Sequence, residues 1–451
     1  EDVMLRIIAL GGYAEMGRNM TAVFWNDQGV ILDCGLHLEN YIRLTEEDDL
    51  KVMSTKLLQQ EGAIADLTPL GKDRKKILAI VPSHAHLDHI GGLPYLESKF
   101  DAPIICTPFT AAVLRGMVGD NKSGRGGNGR GELRNDIITV QPGASHKLTE
   151  DITIEFIRAT HSTPHTATIA IHTPDGVIIY ANDFKFDLHP TLGPKPDFAR
   201  LKALGKAGVK AFICESTYSN LEQRMPSESI AKQMLEDILL GLDHKNKAII
   251  VTTFSSHIAR LRAICDCAKK IHRTPLIVGR SLSRYIAAAE ECGITSFKDA
   301  EVVRYSSKAA RRLRKVLAEG KEKYVLVVTG HQGEPRAILS RMGSEQIDWR
   351  FDPNDCVIFS CKVIPTPTNE ANRARLESRL RDFNVRFFKD IHVSGHAARE
   401  DLREMLTMLK PEHLFASHGD KKMQAGLASL AAEEHMQKVH LLANGGQMEL
   451  A

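Results

Sequence analysis

The sequence predicts an α/β protein in which a β-rich domain is interrupted by an α/β insert. Strand-like runs dominate about the first 200 positions, and helical and strand-like runs alternate from about residue 220. Strand-then-loop units return near the end of the chain. A chain of 451 residues also exceeds one ordinary domain core, which favours two domains.

The first part of the chain is expected to form stacked sheets. Its apolar runs are rich in Val, Ile and aromatic residues, Gly, Pro, Asn and Asp separate them, and few helices interrupt them. This texture favours packed sheets over a doubly wound parallel sheet. The predicted strands are LRIIAL, TAVFW, GVILDCG, KKILAIVPS, APIICT, ITIEFIRA, TATIAIHT and GVIIYAND.

The middle of the chain shows the βα alternation of a parallel sheet. Predicted helices cover 228–243, 257–271, 281–291 and 308–318, and the strands between them are AIIVTTF, PLIVG, YVLVVTG and CVIFS. KVIPTPTNEANRAR holds two prolines and is interpreted as the crossing back to the first domain. The predicted division is 1–218 for the first part of the β-rich domain, 219–367 for the insert and 368–451 for the final part.

Composition points to a globular protein with 43% hydrophobic and 25% charged residues. A net charge of +3 means that any nucleic acid must bind through local patches. No apolar run approaches the ~20 residues of a membrane helix, and no signal peptide opens the sequence. The eight cysteines form no CxxC pair and are expected to be buried thiols in a reducing compartment. We therefore predict a cytoplasmic protein without membrane partners.

VPSHAHLDHIGGLP, residues 81–94, is the most informative stretch. It places His84, His86, Asp88 and His89 within six positions, on a loop that follows the strand ILAIV. A loop at the end of a strand lets such ligands converge. His84 and His86 can reach one ion, while Asp88 and His89 can turn towards a second.

Further ligands follow three other apolar strands. They are His161 in ATHSTPHT, Asp183 in YANDF and His418 in ASHGD. The predicted set is His84, His86 and His161 on one ion and Asp88, His89 and His418 on the other, with Asp183 bridging. Nitrogen and oxygen ligands without thiolate suit Zn²⁺, with Mn²⁺ as an alternative.

Other Asp and His residues are candidates for supporting a ligand histidine or have no expected role. Asp33 in ILDCG is expected to accept the free N–H of a ligand histidine, with a turn-forming role as the alternative. His165 lies near His161 and is a lesser candidate for supporting a ligand. Six histidines show no partner pattern and are expected to be ordinary: His146, His172, His189, His244, His272 and His413.

SHAHLDH together with His161, Asp183 and His418 resembles the metallo-β-lactamase superfamily, whose fold is an αββα sandwich with metals at the sheet edge. The insert resembles the β-CASP domain of its nucleic-acid-processing branch. GGYAEMGRNM, CESTYSN, TTFSSHIAR, TGHQGEP and IHVSGHA narrow the resemblance to the ribonuclease J family, in its short archaeal-type form. His331 in TGHQGEP departs from the smaller residue expected there.

This resemblance implies site residues beyond the ligands. Asp88 would orient the attacking water, and Glu215 would hold His396 or a ligand histidine, with His396 over the scissile phosphate. Gln332, Gly333 and Glu334 would line the RNA path. The remaining implied substrate-binding residues are Ser255, Ser256, His392, Val393, Ser394, Gly395 and Ala397.

The implied activity is that of a metal-dependent ribonuclease in RNA decay and processing. It would act chiefly 5′→3′ on single-stranded RNA with a 5′-monophosphate, use two Zn²⁺ (or Mn²⁺ or Mg²⁺) and form a homodimer. Internal cleavage is a second mode. The alternatives are a cleavage-and-polyadenylation-type β-CASP endonuclease, a non-catalytic RNA-binding subunit and a small-molecule hydrolase.

Two surface features have two readings each. Lys308, Arg311, Arg312 and Lys315 share one helix face, which is either solvated or tracks phosphates with salt-dependent affinity. The Gly/Arg-rich segment 119–134 is either a solvated loop or an RNA or subunit contact. The segment 45–76 has no assigned role.

Overall fold

The computed structural model describes residues 5–47, 54–119, 133–304 and 306–450. These fall into two compact units. The first unit comprises Glu1–Leu188, Pro194–Met225 and Gly395–Ala451, and the second comprises His189–Gly193 and Pro226–Ser394. The tail therefore returns to the first unit, as the sequence predicts.

Two seven-stranded sheets form the first unit, which confirms the predicted stacked sheets. In the first sheet the strands are, numbered along the chain, β1 (Leu5–Gly11), β3 (Met20–Trp25), β4 (Gln28–Leu32), β5 (Ile77–Val81), β6 (Ile104–Cys106), β7 (Ile137–Thr139) and β22 (Gln447–Leu450). Their order is β22-β1-β3-β4-β5-β6-β7. β22 pairs antiparallel with β1, so the last strand of the chain completes the sheet that the first strand begins.

The second sheet has the order β21-β19-β12-β11-β10-β9-β8. Its strands are β8 (Ser145–Lys147), β9 (Thr153–Arg158), β10 (Ala167–Thr173), β11 (Gly176–Ala181), β12 (Val209–Glu215), β19 (His413–Ser417) and β21 (Val439–His440). A small pair, β2 (Tyr13–Ala14) and β20 (Gly419–Asp420), lies apart from both sheets. β12 and β19 are parallel neighbours although the second unit separates them in sequence, and Glu215 is paired with Ser417.

The core of the first unit lies between the sheets, because alternate residues of both point inward. Ile7 and Val23 from the first sheet and Phe156, Ile169 and Phe415 from the second belong to this buried cluster. The other face of the second sheet packs on helices through Leu201, Leu402 and Leu427. These three residues belong to α6 (Phe198–Ala207), α13 (Arg399–Leu409) and α14 (Lys421–Glu433). The other described helices of the first unit are α1 (Leu38–Glu47), α2 (Thr55–Gln60), α3 (Leu87–Ile90), α4 (Leu93–Leu96) and α5 (Pro108–Gly119).

A six-stranded parallel sheet forms the centre of the second unit, as the βα alternation predicts. In spatial order its strands are β15 (Glu301–Val303), β14 (Thr274–Val278), β16 (Tyr324–Val328), β13 (Ile249–Thr252), β17 (Cys356–Phe359) and β18 (Arg386–Phe388). Its helices are α7 (Glu228–Gly241), α8 (Ile258–Lys270), α9 (Arg280–Glu291), α10 (Ser306–Glu319), α11 (Ile338–Gly343) and α12 (Pro367–Asp382).

The end of the insert differs from the prediction. The second unit continues to Ser394 instead of ending at residue 367, while the first part of the first unit extends to Met225, interrupted only by His189–Gly193. Residues 362–375 do not cross back. Pro367 instead opens α12, where the Thr366 side chain accepts a hydrogen bond from the Asn369 amide. Proline is favoured in the first helical turn because its missing N–H has no helical partner there, so these prolines mark a helix start.

Two sequence features fall partly or wholly outside the described residues. Of the Gly/Arg-rich segment 119–134, positions 120–132 lie outside, and of 45–76, positions 48–53 lie outside. Among the helices that the structure describes, none has the length and apolar character needed to cross a membrane.

Candidate metal centre

The HAHLDH loop follows β5 and runs into the short helix α3, for which His86 is the N-cap residue. Asp33, fully buried just after β4, holds this loop in place. Its carboxylate accepts hydrogen bonds from the Ser83 amide at 2.7 Å, the His89 Nδ1–H at 2.7 Å and the Tyr180 hydroxyl at 2.7 Å. The expectation that Asp33 orients a histidine is therefore confirmed, with His89 as the partner.

A first cluster brings together the side chains of His84, His86, His161 and Asp183. His86 Nδ1 lies 3.1 Å from His84 Nε2 and 3.0 Å from His161 Nε2. Asp183 Oδ2 lies 3.3 Å from His84 Nε2 and 3.2 Å from His161 Nε2. Four ligands of one tetrahedral ion at ~2.0–2.1 Å stand about 3.3 Å apart, so these separations suit a single divalent ion.

A second cluster contains Asp88, His89 and His418. Asp88 Oδ2 lies 3.6 Å from His89 Nε2 and 3.7 Å from His418 Nε2. The Asp183 carboxylate joins both clusters, because Oδ2 also lies 3.3 Å from His89 Nε2 and Oδ1 lies 3.4 Å from His418 Nε2. The structure thus brings together all seven side chains that the sequence singled out.

The chemistry of this donor set fits divalent cations. Asp183 Oδ1 is buried without a hydrogen-bond partner, and a bound cation would compensate it. Burial lowers the pKa of His84 and of His418 to about 3, which keeps both imidazoles neutral, as ligands must be. Burial alone would lower the pKa of His89, but Asp183, Asp88 and Asp33 raise it, and a cation would compete with that proton. The cluster is a divalent-metal site.

The second ring nitrogen of four ligand histidines, His84, His89, His161 and His418, has a partner outside the ligand set. His161 Nδ1–H donates to the Gly395 carbonyl at 2.6 Å, and His418 Nδ1–H donates to Asn19 Oδ1 at 3.0 Å. Such partners fix the tautomer and direct the opposite nitrogen at the metal. Gly395 is needed for this approach, since a Cβ there would lie 2.1 Å from Ser162 Oγ.

Asn19 is a positioning residue that sequence reasoning missed. It is 1% exposed, and Oδ1 also accepts from Asn182 Nδ2 at 2.9 Å. Its Nδ2 lies 3.1 Å from the Asp88 carbonyl oxygen and 3.2 Å from His89 Nε2. One side chain therefore touches all three residues of the second cluster. The only sequence signal was its membership in GGYAEMGRNM.

Asn19→Ala is expected to weaken metal binding at the second cluster about 10–100-fold, because His418 loses the acceptor that orients it. Chelator competition with the purified protein measures this affinity without reference to activity. Asn444→Ala is the matched control, since Asn444 bonds the Tyr13 amide and Glu15 in the same unit. Equal metal affinity of the Asn19 and Asn444 variants would contradict the assignment.

Glu215 and His396 form a pair beside the Asp183 carboxylate. Glu215 is fully buried at the end of β12, and its Oε2 accepts from His396 Nδ1–H at 2.7 Å. His396 Nδ1 also lies 3.9 Å from Asp183 Oδ1. Burial alone would lower the pKa of His396, but Glu215 and Asp183 raise it to about 10. The hydrogen bond to Glu215 thus holds the His396 imidazole in one orientation beside the cluster.

The substrate-binding candidates of the second unit differ in what they can do. Ser255 Oγ lies 2.8 Å from Ser281 Oγ, and Ser256 is buried. Arg260, fully buried, places one guanidinium nitrogen 3.3 Å from His392 Nδ1, and burial with this charge lowers the pKa of His392 to about 2. His392 is therefore neutral. Val393 is buried, and Ser394 is the last residue of this unit.

The QGEP residues make local contacts within the second unit. Gln332 is 4% exposed; its Nε2 donates to the Lys362 carbonyl, and its Oε1 accepts from the Ile364 amide. Gly333 has φ +78°, and a Cβ there would lie 2.5 Å from the backbone of Asn372. Glu334 accepts from the Gln332 amide at 2.9 Å. Local contacts thus hold Gln332 and Gly333 in place, and the expectation that they line the RNA path stays a prediction.

The backbone amides of His392 and Ala397 and the histidines outside the ligand set also have defined surroundings. Ala397 is buried and its amide donates to Glu215, while the His392 amide donates to Asp390, so neither N–H is available to a phosphate. His165 has φ +55° and lies near the Phe109 amide, away from the clusters. Within the described residues, the six histidines expected to be ordinary join neither metal cluster.

Family models match three parts of the chain. The metallo-beta-lactamase superfamily model matches residues 15–227, the ribonuclease J beta-CASP domain matches 246–376, and a Zn-dependent metallo-hydrolase RNA specificity domain matches 383–442. These assignments agree with the αββα first unit and the parallel-sheet second unit.

Curated relatives match along almost the whole chain. The chain is 44% identical to ribonuclease J of Methanocaldococcus jannaschii, with 98% of each chain covered. It is 41% identical to ribonuclease J of Pyrococcus abyssi, covering 99% of this chain and 97% of that one. A crystal structure from Enterococcus faecalis, described as a protein of unknown function, shares the fold with TM-score 0.66 at 18% identity, over 99% of this chain and 100% of that one.

Proposed function

The chain belongs to the ribonuclease J family, and we propose that it acts chiefly as a 5′→3′ exoribonuclease on single-stranded RNA bearing a 5′-monophosphate. Family membership makes it a metal-dependent ribonuclease that binds RNA. The observation that carries the proposal is His396, held by Glu215 beside the seven-residue His/Asp cluster.

The proposed ligand set assigns two Zn²⁺ to the clusters, with Mn²⁺ or Mg²⁺ able to serve in activity. His84, His86 and His161 would hold one ion and Asp88, His89 and His418 would hold the other, with the Asp183 carboxylate available to both. When bound, these ions lower the pKa of a nucleophilic water and offset the charge of the phosphoryl oxygens.

The chain's own residues then perform orientation and proton transfer. Asp88 orients the water that attacks phosphorus, and the proton that this water gives up passes to bulk solvent. As the bond from phosphorus to the 3′ oxygen breaks, its electron pair stays on that oxygen, and His396 Nε2 donates a proton to it. The products are an upstream 3′-hydroxyl and a downstream 5′-phosphate. Each cut therefore regenerates the 5′-monophosphate that the next cycle requires.

For the 5′-monophosphate we propose contacts from Ser255, Ser256, His392 and Ser394. A triphosphate would carry more charge and bulk than these groups accommodate, and a 5′-hydroxyl would lose their hydrogen bonds. The neutral His392 can donate one hydrogen bond but brings no charge. We further propose a homodimer and, because all eight cysteines are free, a reducing cytoplasmic setting.

The test compares one RNA with a 5′-monophosphate, a 5′-triphosphate or a 5′-hydroxyl, labelled at its 3′ end. Wild type and His86→Ala are incubated with Zn²⁺ or Mn²⁺, and products are followed in time. We expect mononucleotides from the monophosphate RNA alone, and none with His86→Ala. Internal cuts independent of the 5′ end would instead favour the endonuclease reading, and RNA binding without any cleavage would favour the non-catalytic one.

A further inference from the structure

A basic groove at one edge of the second unit has no part in the mechanism above. It lies between the edge strand β15 and helix α10, and its cavity volume is about 340 Å³. That volume is within the range of small-ligand sites. We propose that this groove binds the phosphates of single-stranded RNA as a second contact, an inference that rests on the proposed ribonuclease function.

Charge is the main argument for a polyanionic ligand. The groove is lined by five cations, Arg304, Lys308, Arg311, Arg312 and Lys315, and by one carboxylate, Glu301. Four of these cations, all but Arg312, are exposed. A concave surface with one sign of charge concentrates its field and attracts the opposite charge.

Arg312 pairs with the two acids near the groove and is therefore a structural residue. Its Nε and Nη2 donate to the two Glu301 oxygens at 2.6 and 2.9 Å, and Nη1 donates to Glu319 at 2.9 Å. Its guanidinium carbon lies 5.1 Å from the centroid of the Tyr324 ring. The pKa of Arg312 is raised, and its hydrogen bond to Glu301 is the largest cause. The predicted four-residue stripe is therefore corrected to three α10 side chains plus Arg304.

The spacing of the exposed cations suits a chain of phosphates better than a single anion. Lys308, Arg311 and Lys315 follow one another at three and four residues, which spans ~10 Å along a helix. One nucleic-acid strand presents a phosphate about every 3.4 Å of helix axis in a duplex, so this row can meet more than one phosphate. RNA is also the polyanion that the family's activity brings to this chain.

The binding experiment uses His86→Ala protein, so that bound RNA is not consumed. The test variant adds Lys308→Gln, Arg311→Gln and Lys315→Gln. The control instead adds Lys298→Gln, Arg314→Gln and Lys323→Gln, which removes three exposed charges of the same unit that do not line the groove. Glutamine is close to Lys and Arg in helix propensity, and thermal unfolding checks that both variants fold.

Fluorescence anisotropy with a labelled oligouridine of about 20 nucleotides gives the affinity as a function of salt. We expect the groove variant to bind about tenfold more weakly near 0.1 M salt, with a slope of log K against log salt that is smaller by about 2. The control should change affinity by less than about twofold, because its three side chains do not line the groove and salt screens part of their charge.

Three outcomes would overturn the groove as an RNA site. They are an unchanged affinity, an equal loss in both variants, and a loss without a change in the salt slope. Failure of the proposed function is distinguishable, since it would appear as missing 5′-dependent hydrolysis by the wild-type protein while the groove still contributed to RNA affinity.

Discussion

Asp183→Asn is expected to abolish RNA hydrolysis, with kcat lowered by about 10³-fold or more. The Asp183 carboxylate lies within 3.4 Å of nitrogens of His84, His89, His161 and His418, so it is the one side chain that both clusters share. Asparagine keeps the shape but removes the negative charge that bridging two cations requires. Metal content per chain should fall together with activity.

Mass spectrometry of metals in the purified variant, beside an RNA hydrolysis assay, measures both effects. Asp151→Asn is the matched control, because Asp151 is exposed in the same unit and accepts only from Gln28 among the hydrogen bonds described. If Asp183→Asn retained the wild-type metal content and hydrolysed RNA normally, the bridging role would be wrong.

His396→Ala should lower kcat by about 10²–10⁴-fold and leave the metal content unchanged. The reason is that the proposal assigns His396 to proton donation, although its ring also lies within ligand distance of Asp183 and His418. Glu215→Gln should lower kcat in the same direction, because a neutral partner no longer holds the imidazolium form. Combining both changes should cost little more than His396→Ala alone, since the two residues act as one unit.

The control for this prediction is His146→Ala, which removes an imidazole of β8 that lies outside both clusters. Substrates with a leaving group that needs no proton provide a further readout. With such substrates the hydrolysis rate of His396→Ala should increase more than that of wild type, because only the variant lacks the proton donor. A loss of metal in His396→Ala would instead identify His396 as a ligand and contradict the assignment.

Much of the fold could be predicted because each local pattern agrees with the tertiary structure. The apolar runs from LRIIAL to GVIIYAND all contain strands, and the four predicted helices of the insert appear within a few residues of their expected ends. The insert boundary failed at a particular place. Proline at the start of α12 was taken as the end of a unit, and β18 joins the insert sheet through pairing with β17, which sequence patterns do not reveal.

The candidate site was predictable in its residue types and less so in its supporting contacts. HAHLDH places four residues of metal-ligand type within six positions, a density that is unusual in a loop without a metal, so these four local positions could be identified. Asn19 could not be, because an asparagine before a strand looks like any turn residue until His418 and Asp88 are placed beside it. The hydrogen bonds of Gln332 to the backbone at 362 and 364 were equally invisible in the sequence, because its motif does not show which partners its side chain has.

The sequence by itself therefore determined the secondary structure, the two kinds of domain and the identity of the seven clustered side chains, because periodicity and ligand chemistry are local properties. Tertiary structure alone decided which atoms converge. The parallel pairing of β12 with β19 brings Glu215 next to Ser417 and His418 across the whole insert. Strand pairing of this kind depends on the burial of both sheets in one core, a long-range interaction that no local pattern encodes.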